Sequence, residues 1–398
     1  MGQTVEISIK SSKSINMENK LTLILIIALS GFFANTMLVQ GQTLPGVELA
    51  YSDPSTETYL GAPSIVKIDD GTYVASHQFF GPGSCKCRTS IYQSKDRGQT
   101  WNRLTIIRGQ FWSNMFVWKS DLYIMGVSEQ YGDLIIRKST DGGRSWTEPT
   151  NSTSGLLRDD VEYHTAPVPV VVHNGRIWRA VEDRFPPEKW GVNFRAFVIS
   201  APVDSDLLNA ASWTTSNRIR YNQDWPGNAW LEGNVVVNPD GKLVNILRNN
   251  YQPVGGRAAI LDVSTYGETV SFDPDTGFID LPGGMKKFTI RYDGVTNKYW
   301  ALSNYVPDEF AGGNPERTRN TLALISSNDL REWEVNRIVL QHPNVEKVGF
   351  QYADWQFDGD DIISLIRTAY PNEQGVHADN QHNANYIMFK RVSDFRDN

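Results

Sequence analysis

Two eight-residue segments decide the fold: residues 94–101 read SKDRGQTW and residues 139–146 read STDGGRSW. Both follow the pattern S-x-D-x-G-x-[ST]-W, and their tryptophans are 45 residues apart. The aspartate can accept backbone N–H bonds in an Asx-turn and the glycine can adopt a positive φ, so each segment predicts a hairpin turn. The tryptophan then brings a large apolar side chain into the next strand. A period near 45 residues that is built from hairpins is typical of a propeller blade.

Several segments in the rest of the chain share one pattern: an apolar strand, an Asp/Asn-Gly turn and a second apolar strand. Residues 327–333 (SNDLREW) are a shortened copy of the two segments. No run of helical period exceeds about two turns, which predicts an all-β chain. At roughly 45 to 55 residues per unit, we predict a single β-propeller over residues 42–398 with seven blades, and six blades as the alternative.

The first 41 residues differ in composition from the rest. Lys20 precedes the apolar stretch 21–29, and the small residues that follow end in Val39-Gln40-Gly41, which suits a signal-peptidase site. We predict a signal peptide over residues 1–41, with residues 1–16 as an upstream extension because Met17 would make an ordinary start. An uncleaved membrane anchor is the alternative. The expected product is secreted or periplasmic, has no stable membrane anchor after processing, and is a monomer because a closed ring exposes no sheet edge.

Composition narrows the class of ligand. With 38 Lys+Arg and 45 Asp+Glu the net charge is −7, which argues against nucleic acid as a partner. The aromatic content of 11% suits both sheet packing and stacking on sugar rings, so we expect an oligo- or polysaccharide partner. Cys85 and Cys87 are separated by one residue, which predicts a loop feature without chemistry. No cofactor and no metal ligand set are predicted, and a structural metal ion is left open.

Propellers bind ligands in the central funnel, so polar residues within or just after apolar strands are the candidates for chemistry. The candidate catalytic residues are His77, Tyr163, His164 and Arg248. The candidate substrate-binding residues are Glu232, Asn234, Tyr251, Tyr352, Asp354, Arg367 and His382. Structural interpretations stand beside these: a histidine within a strand can belong to the core, Glu232 and Asp354 can accept turn N–H bonds, and the arginines can be ion-pair partners.

The two opening segments resemble the Asp-box (BNR) repeats of the sialidase superfamily. Sialidases typically begin their first blade with an Arg-Ile-Pro motif, whose arginine helps to bind the sialate carboxylate. The matching segment here is Gly61-Ala62-Pro63, which lacks that arginine. The departure argues against sialidase activity.

A second likeness extends over nearly all of residues 42–398. Segments 59–81, 163–182, 230–248, 350–370 and 382–396 resemble a group of secreted propeller enzymes that act on rhamnose–uronic acid linkages. The group includes the α-L-rhamnosidases of glycoside hydrolase family 145 and the related ulvan and rhamnose–glucuronate lyases, which have seven-bladed propellers. The resemblance implies a secreted enzyme that degrades a plant or algal polysaccharide.

The two branches imply different catalytic residues. The rhamnosidases depend on a single histidine, for which His77 is the candidate. The lyases neutralise the uronate carboxylate with an arginine and move protons with His or Tyr, which implies Arg248 and His164, with Tyr163 or Tyr251 as the acid. The second lyase histidine is replaced here by the segment Glu182-Asp183-Arg184. We therefore predict hydrolysis of the linkage, with β-elimination as the alternative. A sialidase and a non-catalytic sugar-binding propeller are the less favoured hypotheses.

Overall fold

Six antiparallel sheets surround a central axis in the computed structural model, which describes residues 42–186, 189–250 and 256–397. The predicted signal peptide at residues 1–41 and the candidate residue Tyr251 lie outside the described residues. Within the described ranges, no helix is long and apolar enough to cross a membrane. The all-β propeller predicted from the sequence is confirmed.

Strand β1 (Val47–Tyr51) is the first strand among the described residues and belongs to the last blade. Blade 1 contains, from the axis outward, β2 (Tyr59–Asp69), β3 (Thr72–Phe80), β4 (Arg88–Ser94) and β5 (Asn102–Arg108). Blade 2 contains β6 (Phe111–Trp118), β7 (Asp121–Val127), β8 (Leu134–Ser139) and β9 (Leu156–Arg158). Blade 3 contains β10 (Glu162–His164), β11 (Val171–His173), β12 (Arg176–Arg184), β13 (Phe194–Pro202), β14 (Thr214–Thr215) and β15 (Ile219–Arg220).

Blade 4 contains β16 (Trp230–Val237), β17 (Leu243–Asn249), β18 (Arg257–Val263), β19 (Val270–Ser271) and β20 (Phe278–Asp280). Blade 5 contains β21 (Thr289–Asp293), β22 (Lys298–Ser303), β23 (Thr321–Ser327) and β24 (Glu334–Gln341). Blade 6 contains β25 (Gly349–Asp358), β26 (Asp361–Ala369) and β27 (Tyr386–Val392), with β1 as its outer strand. Three short 3₁₀ turns complete the described secondary structure: Pro54–Thr56, Ala210–Ser212 and Asp308–Phe310.

Blade 6 closes the ring with strands from both ends of the described chain. Strand β1 pairs antiparallel with β27, with Val47 opposite Phe389 and Tyr51 opposite Tyr386. The inner strand β2 contacts both β25 and β6, so blade 1 packs between blades 6 and 2. Because the first described strand completes the last sheet, opening the ring would require this pairing to break.

The blade count is six, so the primary expectation of seven blades is wrong and the stated alternative is correct. The prediction assumed units of roughly 45 to 55 residues. Blade 3 begins at Glu162 and blade 4 at Trp230, 68 residues apart, because blade 3 carries long connections around its 3₁₀ turn. Fewer and longer blades therefore account for the same length of chain.

The hydrophobic core is divided among the interfaces between neighbouring blades. The cluster between blades 1 and 2 contains Val74 and Ile124, and the cluster between blades 5 and 6 contains Trp300 and Trp355. The other four interfaces have clusters of their own, two of them between blades 3 and 4. Since each sheet buries both faces against its neighbours, the inner strands read as nearly continuous apolar runs.

The segment 94–101 forms a turn that is closed by its own side chains. The Ser94 hydroxyl accepts from the Gly98 N–H (2.9 Å) and donates to Asp96 Oδ1 (2.7 Å). The same Asp96 oxygen accepts from the Thr100 N–H (2.9 Å), and the Trp101 indole donates to the Gly98 carbonyl (3.2 Å). Gly98 has φ of +88°, and a Cβ there would lie 2.3 Å from the Phe389 ring. The turn lies between β4 and β5, on an outer hairpin as predicted.

The tryptophans of these turns pack between blades. Trp101 of blade 1 packs against the cluster it shares with blade 6, and Trp146 of blade 2 packs against the cluster it shares with blade 1. Trp333, in the shortened copy, packs in the same way against the interface between blades 4 and 5. Each turn therefore fixes a blade to the one before it and supplies no group to the axis of the ring.

Candidate active site in the central cavity

A cavity of about 660 Å³ opens where the inner strands converge. Its wall includes six residues that the sequence predicted as functional: His164, Glu232, Arg248, Tyr352, Arg367 and His382. Further lining residues that the sequence did not single out include Trp112, Trp190, Glu316 and Arg319. The cavity thus combines aromatic walls with a concentration of charged side chains, as expected of a ligand site.

Four inner strands carry the same backbone irregularity beside this cavity. Their pairing register shifts between Gly61 and Ser64, Phe111 and Asn114, Leu231 and Asn234, and Gln351 and Asp354. One residue inside each shift has a positive φ and lines the cavity: Ala62 (41°), Trp112 (42°), Glu232 (60°) and Tyr352 (55°). A positive φ in a residue other than glycine costs of order 1 kcal/mol or more. Four such positions at one cavity point to a functional use of the bulges.

The residue two positions further on in each bulge connects neighbouring blades. Asp354 Oδ2 accepts from the Ser64 hydroxyl (2.9 Å) and the Ile65 N–H (3.0 Å) of the next blade. Asn234 Oδ1 accepts in the same way from the Ile290 N–H (3.0 Å). Neither side chain lines the cavity. Asp354 and Asn234 were expected to bind substrate, whereas the structure places them in these inter-blade hydrogen bonds because they follow the bulge on the buried side of the strand.

Tyr352 and Glu232 form a hydrogen-bonded pair on the cavity wall. The Tyr352 hydroxyl donates to Glu232 Oε1 over 2.7 Å, and Arg248 Nη1 lies 2.9 Å from Glu232 Oε2. The same Arg248 nitrogen lies 3.4 Å from the Tyr352 hydroxyl. Arg248 is fixed by its Nε, which donates to the Met285 carbonyl (2.5 Å), while its Nη2 lies 3.5 Å from Glu316 Oε1. The three side chains therefore hold one another in a single orientation.

The electrostatics of this pair keep the glutamate ionised and the phenol protonated in the resting site. Burial would raise the pKa of Glu232, but the nearby Arg248 and His164 hold it below its usual value. Burial and the adjacent Glu232 carboxylate raise the pKa of Tyr352, although Arg248 opposes this effect. The arrangement consists of a neutral phenol in contact with a carboxylate that can accept its proton.

Two further buried guanidinium groups, Arg319 and Arg367, face the cavity without a carboxylate partner among the described residues. Arg319 Nη1 donates to the Gln351 side chain (2.6 Å), and Arg367 Nη2 donates to the His382 carbonyl (2.5 Å). The Nε of Arg367 is buried and has no described hydrogen-bond partner. Burial lowers the pKa of Arg319, and the nearby Arg248 acts in the same direction. A bound anion would offset the repulsion between these guanidinium groups and would accept a hydrogen bond from the unpaired Nε.

Arg367 also occupies the part of the cavity beside the segment that lacks the sialidase arginine. Its Cδ would lie 3.8 Å from a Cβ on Gly61, and its guanidinium stacks over the rings of Phe80 (4.3 Å) and Tyr352 (5.0 Å). Arg367 on β26 therefore places a guanidinium beside Gly61 of β2, a strand that lacks the arginine of the sialidase motif. The stacking fixes its orientation.

His164 and Glu182 form a second buried pair on the wall of the cavity. The two residues face each other across β10 and β12, and His164 Nδ1 lies 3.0 Å from Glu182 Oε2. The other carboxylate oxygen accepts from the Gly233 N–H (3.1 Å), directly after Glu232. The His164 ring packs between Trp112 (4.5 Å) and Phe194 (4.6 Å). Glu182 thus fixes the ring on one nitrogen and ties it to the bulge that carries Glu232.

Two of the predicted catalytic residues do not reach the cavity. His77 on β3 is buried between Phe79 and Tyr92, and burial lowers its pKa to about 4. Tyr163 is buried, and its hydroxyl donates a hydrogen bond to Asp160. Arg218 Nη2 lies 3.1 Å from the Tyr163 hydroxyl oxygen. His77 lies on the second strand of blade 1 and Tyr163 packs into the cluster between blades 2 and 3, so neither side chain faces the cavity.

His382 lines the cavity next to the arginines, in surroundings that disfavour its protonation. Burial lowers its pKa well below the usual value, and Arg367 and Arg319 act in the same direction. In the described part of the chain, no group of three or more His, Cys, Asp or Glu side chains is arranged to hold a metal ion. Cys85 and Cys87 form a disulfide, with Lys86 between them on the cavity wall.

The sequence contained a signal for some of the residues that were missed. Trp112 occupies the position in FWSN (111–114) that Glu232 occupies in LEGN (231–234) and Tyr352 in QYAD (351–354), so aligning the starts of the inner strands would have identified it. Arg319 lies in the loop before β23, outside any repeated pattern, and only the folded ring brings it to the cavity.

No protein-family model matches the sequence, and no curated protein does. Solved structures resemble the fold. A protein of unknown function from Dyadobacter fermentans DSM 18053 aligns with a TM-score of 0.57 at 15% identity, over 88% of this chain and 100% of that one. An α-L-arabinanase from Penicillium chrysogenum, complexed with arabinobiose, aligns with a TM-score of 0.52 at 14% identity, over 88% and 98%. The Hadza microbial sialidase Hz136 aligns with a TM-score of 0.57 at 14% identity, over 87% and 68%. The TM-scores show that the fold is shared, and at identities this low the likeness extends to the fold alone.

Proposed function

We propose that the protein is a glycosidase that hydrolyses the glycosidic bond of a sugar residue carrying a carboxylate. The observation that carries the proposal is the 2.7 Å contact between Tyr352 and Glu232 in a cavity that also presents Arg319 and Arg367 without carboxylate partners. The arabinanase and sialidase among the similar structures are propellers with glycosidase names, which is consistent with this class of activity.

Tyr352 is the proposed nucleophile. A neutral phenol is weak at neutral pH and needs an adjacent base, and Glu232 is placed to take its proton. Tyrosine nucleophiles occur among glycosidases in place of the more common carboxylate. Arg248 touches both members of the pair, so it stabilises the phenolate that forms as the proton moves to Glu232.

Arg319 and Arg367 are the proposed binding site for the sugar carboxylate. Guanidinium groups recognise carboxylates through paired N–H bonds, and both groups are already desolvated and held by neighbouring residues. Placing an anion between two unpaired cations also places its sugar ring next to Tyr352, because Arg367 stacks on the Tyr352 ring. Trp190, half-exposed at the rim and 5.8 Å from the Arg248 guanidinium, offers a face for a further sugar unit.

The choice of acidic sugar remains part of the proposal. A rhamnose–uronic acid linkage, predicted from the sequence, offers a uronate to the arginines, and a sialoside offers a carboxylate on the reacting ring. A neutral arabinoside leaves both arginines unpaired, so we expect it to be a poor substrate. The proposed setting is a secreted or periplasmic monomer that acts on a polysaccharide.

The test is a panel of 4-methylumbelliferyl glycosides of sialic acid, glucuronic acid, rhamnose and arabinofuranose, together with a rhamnose–glucuronate oligosaccharide. We expect the wild type to hydrolyse an acidic substrate with retention of anomeric configuration, which NMR of the released sugar would show. We expect Tyr352→Phe to hydrolyse none of these substrates. Ultraviolet absorbance from an unsaturated uronate would show β-elimination instead. Binding without turnover of any of these substrates would leave a sugar-binding propeller and refute the proposal.

A further inference from the structure

We propose that His164, positioned by Glu182, is the general acid and base of the reaction at Tyr352. This inference rests on the proposed function and names the group that protonates the leaving oxygen. Tyr352 and Glu232 account for bond formation at the sugar carbon, but neither protonates the oxygen that departs. A glycosidase acting on an unactivated sugar linkage requires that second group.

The His164–Glu182 geometry suits this role. Glu182 holds Nδ1 at 3.0 Å, which leaves Nε2 as the nitrogen available to a molecule in the cavity, and no described residue bonds to Nε2. The pattern of a buried carboxylate that orients an imidazole through Nδ1 is the one that makes histidine an effective proton carrier in hydrolases. Trp112 and Phe194 pack against the ring and prevent it from turning away.

The dyad is also linked to the nucleophile pair. Glu182 Oε1 accepts from the Gly233 N–H at 3.1 Å, so the carboxylate that orients His164 is bonded to the bulge that carries Glu232. His164 also acts electrostatically on Glu232. One buried carboxylate thereby positions both sides of the cavity relative to each other.

Two other lining groups that could carry a proton, His382 and Glu316, are less suited to this role. His382 faces two guanidinium groups, Arg367 and Arg319, that disfavour its protonation. Glu316 lies 3.5 Å from Arg248 and is directed toward that cation. Of the two histidines that line the described cavity, His164 is the one whose Nδ1 is held by a carboxylate, whereas His382 Nδ1 lies 3.2 Å from the uncharged amide oxygen of Asn383.

The proposed reaction has two steps. In the first step Tyr352 Oη forms a bond to the anomeric carbon and its proton passes to Glu232, while the glycosidic C–O bond breaks and its electron pair takes the Nε2 proton of His164. In the second step water attacks the anomeric carbon as the bond to Tyr352 breaks, and the water gives a proton to the neutral His164. The departing phenolate of Tyr352 recovers its proton from Glu232. The site returns to its starting state and the sugar keeps its configuration.

The test compares leaving groups. The probes are the 4-methylumbelliferyl and methyl glycosides of N-acetylneuraminic acid and of glucuronic acid, assayed with wild type, His164→Gln, Glu182→Gln and a control, His173→Gln, on β11 of the same blade. We expect His164→Gln to lower kcat/KM for the methyl glycoside by about 10² to 10⁴-fold and for the umbelliferyl glycoside by less than about tenfold. The umbelliferyl group leaves without protonation. Glu182→Gln should show the same selectivity with a smaller loss, as expected of a positioning residue, and His173→Gln should match wild type with both probes.

Equal losses on both leaving groups, or no loss on either, would overturn the role of the dyad while leaving an active wild type and the proposed function in place. A wild type inert toward all four glycosides and toward the rhamnose–glucuronate oligosaccharide would overturn the proposed function and the dyad with it. Thermal unfolding of each variant shows whether it folds. If His164→Gln does not fold, the same leaving-group comparison with Glu182→Gln decides the outcome.

Discussion

The hydroxyl of Tyr352 lies 2.7 Å from Oε1 of Glu232, although 120 positions separate the two residues in the chain. Both sit at positive φ in equivalent bulges, one on the inner strand of blade 6 and the other on that of blade 4. The bulge turns each side chain out of the alternating pattern of its strand and toward the axis of the ring. The same backbone device therefore supplies both partners of the proposed catalytic pair.

Removing the phenol hydroxyl should abolish turnover. We expect Tyr352→Phe to lower kcat on every substrate by on the order of 10³-fold or more, regardless of leaving group, because the bond to the sugar carbon cannot form. Steady-state kinetics on the active substrate of the panel provides the measurement. Glu232→Gln should lose about 10² to 10⁴-fold, since the base is lost while the nucleophile remains. Normal turnover by Tyr352→Phe would exclude it as the nucleophile.

Arg367 should discriminate between charged and neutral forms of one sugar. We expect Arg367→Gln to weaken kcat/KM for the acidic substrate by about 10- to 100-fold, the value of a charge-assisted hydrogen bond. The analogue whose carboxylate is reduced to an alcohol should be affected little. The matched control is Arg144→Gln on the outer hairpin of blade 2, where the guanidinium donates to the backbone carbonyl of Asp141. Equal losses on the acid and the alcohol would mean that Arg367 does not read the carboxylate.

Asp354 should matter for stability and little for turnover. Asp354→Ala leaves the Ser64 hydroxyl and the Ile65 N–H without their inter-blade acceptor. We expect the free energy of unfolding to fall by about 1–3 kcal/mol, measured by urea denaturation. The folded variant should keep its KM. A rise in KM at unchanged stability would instead support the role in substrate binding that the sequence suggested.

Asp293 should make the stability depend on pH in acid. The Arg396 guanidinium, bonded at 2.8 and 2.9 Å, together with Thr296 lowers the pKa of Asp293 from 3.8 to about 2. Because the folded pKa is the lower one, the ion pair stabilises the fold above pH 3.8 and this contribution disappears as the pH falls toward 2. Asp293→Asn should therefore cost roughly 2 kcal/mol near pH 7 and almost nothing near pH 2. Denaturation of both proteins across this range checks the sign, and a constant difference would contradict it.

His77 should be dispensable for catalysis. The ring is buried beside Tyr92 and does not line the cavity, so we expect His77→Asn to leave kcat/KM within about threefold of wild type in the folded fraction, with a lower melting temperature from the altered packing. A loss of turnover as large as that of Tyr352→Phe would move the reaction to another part of the propeller and restore the rhamnosidase-like prediction.

Much of the candidate site was visible in the sequence as residue types at the starts of strands. His164, Glu232, Arg248, Tyr352, Arg367 and His382 were identified because they lie within or near apolar strands that were expected to converge on the central funnel. Their partners were not, since Glu182 was interpreted as a missing histidine and Arg319 belongs to a loop. The choice between cavity and blade interface could not be made either, because Glu232 and Asn234 are two residues apart on one strand and the bulge sends the first to the cavity and the second to the neighbouring blade.

The sequence by itself determined the hairpins and their partly buried tryptophans, because Ser94, Asp96 and Gly98 close their turn through bonds that span four residues or fewer. Such contacts form from local geometry alone and are therefore readable in the order of the residues. Only the tertiary structure decided the number of blades and the meeting of Tyr352 with Glu232. Both features depend on the angle through which each blade turns the chain around the axis. That angle is set by the packing at all six interfaces together, so no single segment of the sequence specifies it.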